Sequence, residues 1–358
     1  MRKEEIQEII RILNSIRKVP SELEPKAEKG IPSQFKAIEF TLPKNLEEII
    51  PCVGVDGSYC FLFSFLGAET WIVLFRISIL DYKISIKDNK TLYIQNNPPK
   101  YYDHLSLISF NPDILKLQYS IYREIADFSS RFQERKASLF ASNILSYLEQ
   151  KALHKISSEY SNCILLKDGA LLSFKGIPKI SMFEEIIKNC KTNGILFAGI
   201  SKSSALRSFK HALTDDYFLN RFYNSTFTNL THIPISKDYF ATQQKYDVWG
   251  EVHLSKLHES AIKWFRVDVG YDGGDINTFF SSLAAYSQAH LLPGYPISLI
   301  EAHKLAKSVR DLKTTYELEI MDYLREIGVS PEEIIAGEVD YEGREFGSFH
   351  EILDQLSK

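Results

Sequence analysis

Residues 113 to 155 contain no glycine and no proline, and this stretch divides two sets of apolar, strand-like segments. Apolar residues recur through it at helical spacing, so it forms one very long helix or two in close succession. Before it stand Val53-Gly54-Val55-Asp56-Gly57-Ser58, Tyr59-Cys60-Phe61-Leu62-Phe63-Ser64-Phe65 and, past Gly67, the apolar residues 71–79. These read as successive strands of an antiparallel meander, with a further short strand at Thr91-Leu92-Tyr93-Ile94 and a loop over 96–99. After it, residues 162–172 read as a buried strand, 181–190 as a helix and 194–202 as a second strand.

Antiparallel strands, long helix, strand, helix, strand is the order of an α/β, ribonuclease H-like plan. In that plan a mixed sheet flanked by helices brings carboxylates from its first and fourth strands to one edge. Residues 203–262 are aromatic-rich and give no clear pattern, 264–269 read as another strand, and three or four helices follow from residue 275. Upstream, Ile6, Ile9, Ile10, Leu13 and Ile16 lie on one face of an amphipathic helix that Pro20 and Pro25 end.

With 358 residues, 44% of them hydrophobic, the chain has ample material for a core. Its longest apolar run is interrupted by Arg76 and Ser78, far short of a membrane span, and the mixed-charge N-terminus lacks a signal-peptide core. A soluble cytoplasmic protein is expected. The four cysteines, Cys52, Cys60, Cys163 and Cys190, have no metal-site spacing and read as reduced core thiols. The net charge of −4 excludes a global positive field, so any DNA binding must be local. Basic residues do cluster over 202–211, with Lys202, Arg207 and Lys210, and over 304–313.

Two aspartates share a setting: Asp56 and Asp168 each close an apolar run and are each followed by glycine and a small residue. Asp-Gly by itself equally suits a hairpin turn. If the two strands are neighbours, however, the carboxylates come within reach of one divalent ion, which hard oxygen ligands favour. A third acidic ligand is expected from the long helix, where Leu145, Leu148 and Ala152 mark a buried face beside Glu149; Glu134 is the alternative. Near the C-terminus, Pro296 presets the entry to a helix that carries His303 in its second turn, and Ser298 with Glu301 matches a capping box.

Taken in order, Val55-Asp56-Gly57-Ser58, Leu165-Leu166-Lys167-Asp168-Gly169-Ala170-Leu171, Gly199-Ile200-Ser201-Lys202 and Gly294-Tyr295-Pro296 with Leu299 and Ala302-His303 resemble the NurA family. These are nucleases that act with the HerA hexameric ATPase in DNA-end processing. The resemblance spans roughly residues 50 to 315. It departs from the family at Ala170, where a serine is usual, and in the context of Glu134 and Glu149. It implies a manganese- or magnesium-dependent deoxyribonuclease with 5′ to 3′ exonuclease and single-strand endonuclease activity on linear duplex and single-stranded DNA. It also implies a homodimer docked on a HerA-type translocase. By position it carries over Asp56 and Asp168 as metal ligands, with Tyr295 and His303 in or beside the site. Glu149 would complete the shell, while Lys202 and Arg207 would contact DNA. The domain reading is an N-terminal helical segment over 1–50, a nuclease domain over 51–315 and a C-terminal helical extension over 316–358. Two alternatives stand beside it: an actin- or sugar-kinase-like phosphotransferase using Gly273-Gly274, and a NurA-like subunit that binds without cutting.

Overall fold

The computed structural model describes residues 36–46, 49–65, 70–88, 90–110, 137–174, 182–204, 206–208, 214–222, 228–237, 246–261, 263–289, 292–331 and 335–338. The amphipathic helix expected over residues 3–18, the first part of the long helix and Glu134 lie outside them. A short strand β1 (Ile38–Glu39) precedes the meander, which comprises β2 (Cys52–Phe65), β3 (Thr70–Lys87), β4 (Lys90–Gln95) and β5 (Lys100–Ser109). Helix α1 (Ala137–Glu159) leads to β6 (Ile164–Asp168) and β7 (Leu172–Phe174), and α2 (Phe183–Asn193) leads to β8 (Leu196–Ser201). The region without a clear sequence pattern supplies α3 (Asp215–Phe222), β9 (Thr231–Pro234), β10 (Tyr246–Val248) and β11 (Glu251–Lys256). Last come β12 (Phe265–Tyr271), α4 (Ile276–Ala285), α5 (Ile297–Lys307), α6 (Lys313–Glu326) and β13 (Ile335–Glu338).

One mixed sheet holds most of these strands, in the order β1-β9-β11-β12-β8-β6-β2-β3-β4, with β5 also on β3 and β13 on β2. Its centre is parallel. Val53 faces Leu165 across the β2–β6 ladder, and Leu165 faces Phe197 across β6–β8, while the flanking pairs are antiparallel. The parallel strands are joined by helices because a parallel return needs a crossover. They read as continuous apolar runs because both faces are covered. Ile164 and Leu166 pack in one layer with Phe280 of α4 and Leu299 of α5. Leu165 points the other way, into a layer with Leu153 of α1 and Ile186 of α2. The architecture is a mixed α/β sheet flanked by helices, of the ribonuclease H-like class.

Two local expectations change. Asp56 does not end a strand: β2 runs uninterrupted from Cys52 to Phe65, and Asp56-Gly57-Ser58 is its middle. Gly57 answers a demand for space, since a Cβ there would come within 2.7 Å of Leu145 and 2.9 Å of Ile77. Likewise the capping box at Ser298 does not form. Pro296 is the N-cap of α5 with no side-chain cap, and Ser298 is buried with its hydroxyl 3.2 Å from the Cys52 thiol. All four cysteines are free and buried. Among the described residues no helix is long and apolar enough to cross a membrane.

Candidate metal centre

Strand alternation assigns the side chains of β2 and β6 to opposite faces, one residue at a time. On β2, Val53 and Val55 enter the α1 layer, so Gly54 and Asp56 face α5. Gly54 is where α5 comes closest: a Cβ on it would lie 2.5 Å from the backbone carbon of Ser298. That approach brings His303, less than two turns further along α5, over Asp56. Ser78 of β3 pins the same place, its hydroxyl 2.6 Å from the carbonyl of Ala302 and 3.1 Å from that of Asp56.

Asp56, Asp168 and His303 converge as a result, each offering a ligand atom within 4.8 Å of the others. The Asp56 Oδ2 atom is 2.7 Å from His303 Nδ1, and its Oδ1 accepts from the Gly57 N–H at 2.8 Å. Asp168 Oδ1 accepts from the Tyr295 hydroxyl at 2.8 Å, and its Oδ2 accepts from Lys202 Nζ at 2.5 Å. Tyr295 is fully buried, and burial and then the Asp168 charge push its phenol well above the usual range, so it remains a donor. Burial, and next the Asp56 charge, raise the Asp168 carboxyl above its ordinary value even though Lys202 and Tyr295 pull the other way. Two partly desolvated carboxylates beside an imidazole form a donor set that suits a manganese- or magnesium-type cation, whose charge would relieve their repulsion. Asp56 and Asp168 are largely buried while about a third of the His303 side chain is exposed, so the site opens on the α5 side.

Glu149 reaches this region from the other layer. It is buried on α1, and its Oε2 lies 2.8 Å from Lys167 Nζ. Burial pushes the Glu149 carboxyl up to about 7, with Lys167 opposing that shift and Asp56 adding to it. Burial disfavours the Lys167 charge, but Glu149, joined by the charges of Asp168 and Asp56, outweighs it and holds the ammonium above its usual range. Glu149 therefore stands near both aspartates while its carboxylate engages a lysine. Arg207 lies exposed in the segment after β8, beyond Lys202.

Three side chains around the site were not singled out from the sequence. Lys167 is one. Arg266 and Asp268 are the others, two residues apart on β12 and joined by bonds of 2.6 and 2.8 Å; Asp268 Oδ2 also accepts from the Leu171 N–H at 2.9 Å. This buried pair fastens the loop that leaves Asp168. The available signal was the same in each case, a charge inside a strand buried on both faces, which survives only when paired.

No protein-family model and no curated protein matches the chain. Among solved structures, the NurA nuclease from Sulfolobus solfataricus superposes with a TM-score of 0.52 at 13% identity, covering 91% of this chain and 98% of that one. The catalytic domain of human Endonuclease V aligns over 78% of this chain and 92% of that one, at 11% identity and a TM-score of 0.37. The chain has a NurA-like fold.

Proposed function

We propose that this chain is a metal-dependent deoxyribonuclease that hydrolyses phosphodiester bonds. The observation that carries the reading is the convergence of Asp56, Asp168 and His303 within 4.8 Å on one face of a NurA-like sheet. A divalent cation, Mn2+ or Mg2+, would supply Lewis acidity toward the phosphodiester and lower the pKa of an attacking water. Asp56 and Asp168 would hold it, with His303 as the third ligand or, when released from the metal, as a proton carrier to the leaving oxygen. Tyr295 orients Asp168 by donating to Oδ1, and Lys202, on the exposed side of Asp168, would meet the DNA phosphate backbone together with Arg207. Glu149 belongs to the site through Lys167 and the charges of the two aspartates.

The NurA-like fold supports the finer reading as well: exonuclease and endonuclease action on linear duplex and single-stranded DNA, a homodimer, and partnership with a HerA-type hexameric ATPase in cytoplasmic end processing, repair or defence. The phosphotransferase alternative has less to stand on. At Gly273-Gly274 the helix that follows is capped by Asp275, whose carboxylate accepts from the Asn277 N–H at 3.1 Å and from Thr278 at 2.6 Å. A carboxylate already holds the end of α4 where that reading needs a phosphate. The test is degradation of linear duplex and single-stranded DNA with Mn2+, with and without a HerA-type ATPase, by wild type, Asp56→Asn and Asp168→Asn. Both variants should fold normally by circular dichroism and lose activity by about 10³-fold or more, the several kcal/mol a catalytic metal supplies. Full activity in either variant would refute the site.

A further inference from the structure

We propose that Lys167 stands in, with its own ammonium, for a second divalent cation, so that this site binds a single metal ion. The inference deepens the nuclease reading and rests on it. Paired-metal sites hold their ions about 3.5–4 Å apart, with a carboxylate shared between them. Here the first position is given by Asp56, Asp168 and His303 on the α5 face. A second position sharing Asp168 would have to draw its other acidic ligand from Glu149, on the α1 face.

That place is taken. Lys167 precedes Asp168 on β6, so alternation sends its side chain to the α1 face, where Nζ lies 2.8 Å from Glu149 Oε2 and donates to the Asp168 carbonyl at 2.8 Å. The ammonium thus holds the carboxylate that a second ion would need from α1, and its other bond goes to the backbone carbonyl of Asp168, beside the shared carboxylate. Both side chains of the pair are 7% exposed, so Glu149 cannot be drawn to a metal without leaving a buried lysine unpaired. On the other flank, Asp168 Oδ2 already accepts from Lys202 Nζ at 2.5 Å. The charges agree with this count. Asp56, Asp168 and Glu149 are balanced in part by Lys167 and Lys202, so one divalent ion leaves a single positive charge, matched by one DNA phosphate. Two ions would leave the pocket strongly cationic.

Metal stoichiometry tests this directly. Mn2+ is titrated into the full chain by calorimetry and by electron paramagnetic resonance of free Mn2+, with a phosphorothioate oligonucleotide present as an uncleaved substrate. Wild type should bind one Mn2+ per chain, and Asp56→Asn should abolish that binding. Lys167→Met, which keeps the length of the stem, should bind a second ion. Glu149→Gln in the wild-type background should change Mn2+ affinity by no more than about tenfold, as for a group outside the ligand set. Two ions in wild type, or a loss beyond about 100-fold in Glu149→Gln, would overturn the proposal while leaving the metal site intact. No Mn2+ bound by wild type would instead remove the nuclease reading, and this proposal with it. Should Lys167→Met not fold, the wild-type stoichiometry and Glu149→Gln still decide.

Discussion

Gly54→Ala is the substitution that most directly probes how the sheet sets the site. The added Cβ would lie 2.5 Å from Ser298 C, 2.6 Å from Ser298 O and 2.9 Å from Leu299 N, all backbone atoms of α5. Ordinary contact begins near 3.4 Å, so the helix must retreat by about 0.9 Å, because backbone cannot rotate away as a side-chain tip can. Overpacking of this kind costs about 1–3 kcal/mol. For a chain of 358 residues that is a drop of about 1–4 °C in Tm. The functional effect should be larger, because α5 carries His303 and its displacement opens the 2.7 Å contact with Asp56. A misplacement of about 1 Å in a catalytic array costs on the order of 10²-fold in rate. Thermal melting by circular dichroism, Mn2+ calorimetry and the DNA-degradation assay should therefore show small destabilisation with a disproportionate loss of metal affinity and cleavage. A variant with the wild-type Tm and wild-type Mn2+ affinity would refute the close approach of α5 and the positioning of His303 that follows from it.

Protons and metal should compete for the same oxygens. Burial holds Asp168 above its ordinary pKa and Glu149 at about 7, so the metal-free fold favours the protonated carboxyls. This stabilisation is complete below the unfolded values and is lost as pH rises through the raised ones. The Tm of the metal-free protein should thus fall between about pH 5 and pH 8, while Mn2+ affinity by calorimetry rises over the same window; a flat or rising metal-free Tm would contradict it. Tyr295→Phe removes the 2.8 Å bond to Asp168 from a fully buried ring; it should cost about 1 kcal/mol and weaken Mn2+ binding by up to tenfold, and unchanged affinity would mean that the hydroxyl does not organise the ligand. Arg266→Met leaves Asp268 buried without its partner and should destabilise the fold by about 3–5 kcal/mol in urea unfolding, much of it recovered in Arg266→Met with Asp268→Asn. Equal stability of the single and double variants would show that the pair is not what holds the loop after Asp168.

The alternation of apolar segments, the glycine- and proline-free stretch and the paired Asp-Gly dipeptides were enough to read the order of the central elements. They also led to the neighbouring of the strands that carry Asp56 and Asp168. Local signals sufficed because β6 and β8 are buried on both faces and must be apolar throughout, while the helices between them carry 3.6-residue spacing. What stayed unreadable is long-range. β9 is a short strand that lies between β11 and the distant β1, so nothing in its immediate sequence reports the pairing. Ser78 looked like an interruption of an apolar run, and only the fold reveals that its hydroxyl joins α5 to β2.

Gly57 shows how the neighbouring of two strands can be read from a mistaken local picture. Asp56-Gly57 suggested a strand end or a turn, yet the glycine lies within a continuous strand and makes room for Leu145 of α1 and Ile77 of β3, with Glu149 Oε1 at 3.0 Å from where its Cβ would be. The small residue is thus what allows the α1 face to approach the strand directly behind Asp56. One strand then serves two layers: Asp56 turns its carboxylate to His303, and Gly57 admits the Glu149–Lys167 pair from the reverse side. The same alternation divides β6, where Asp168 meets Tyr295 and Lys202 while Lys167 meets Glu149. A shift of β6 by one residue would exchange those roles, placing the lysine beside Asp56 and His303 and Asp168 in the apolar layer. The β2–β6 register of Val55 opposite Lys167 is consequently as much a determinant of the site as any side chain in it.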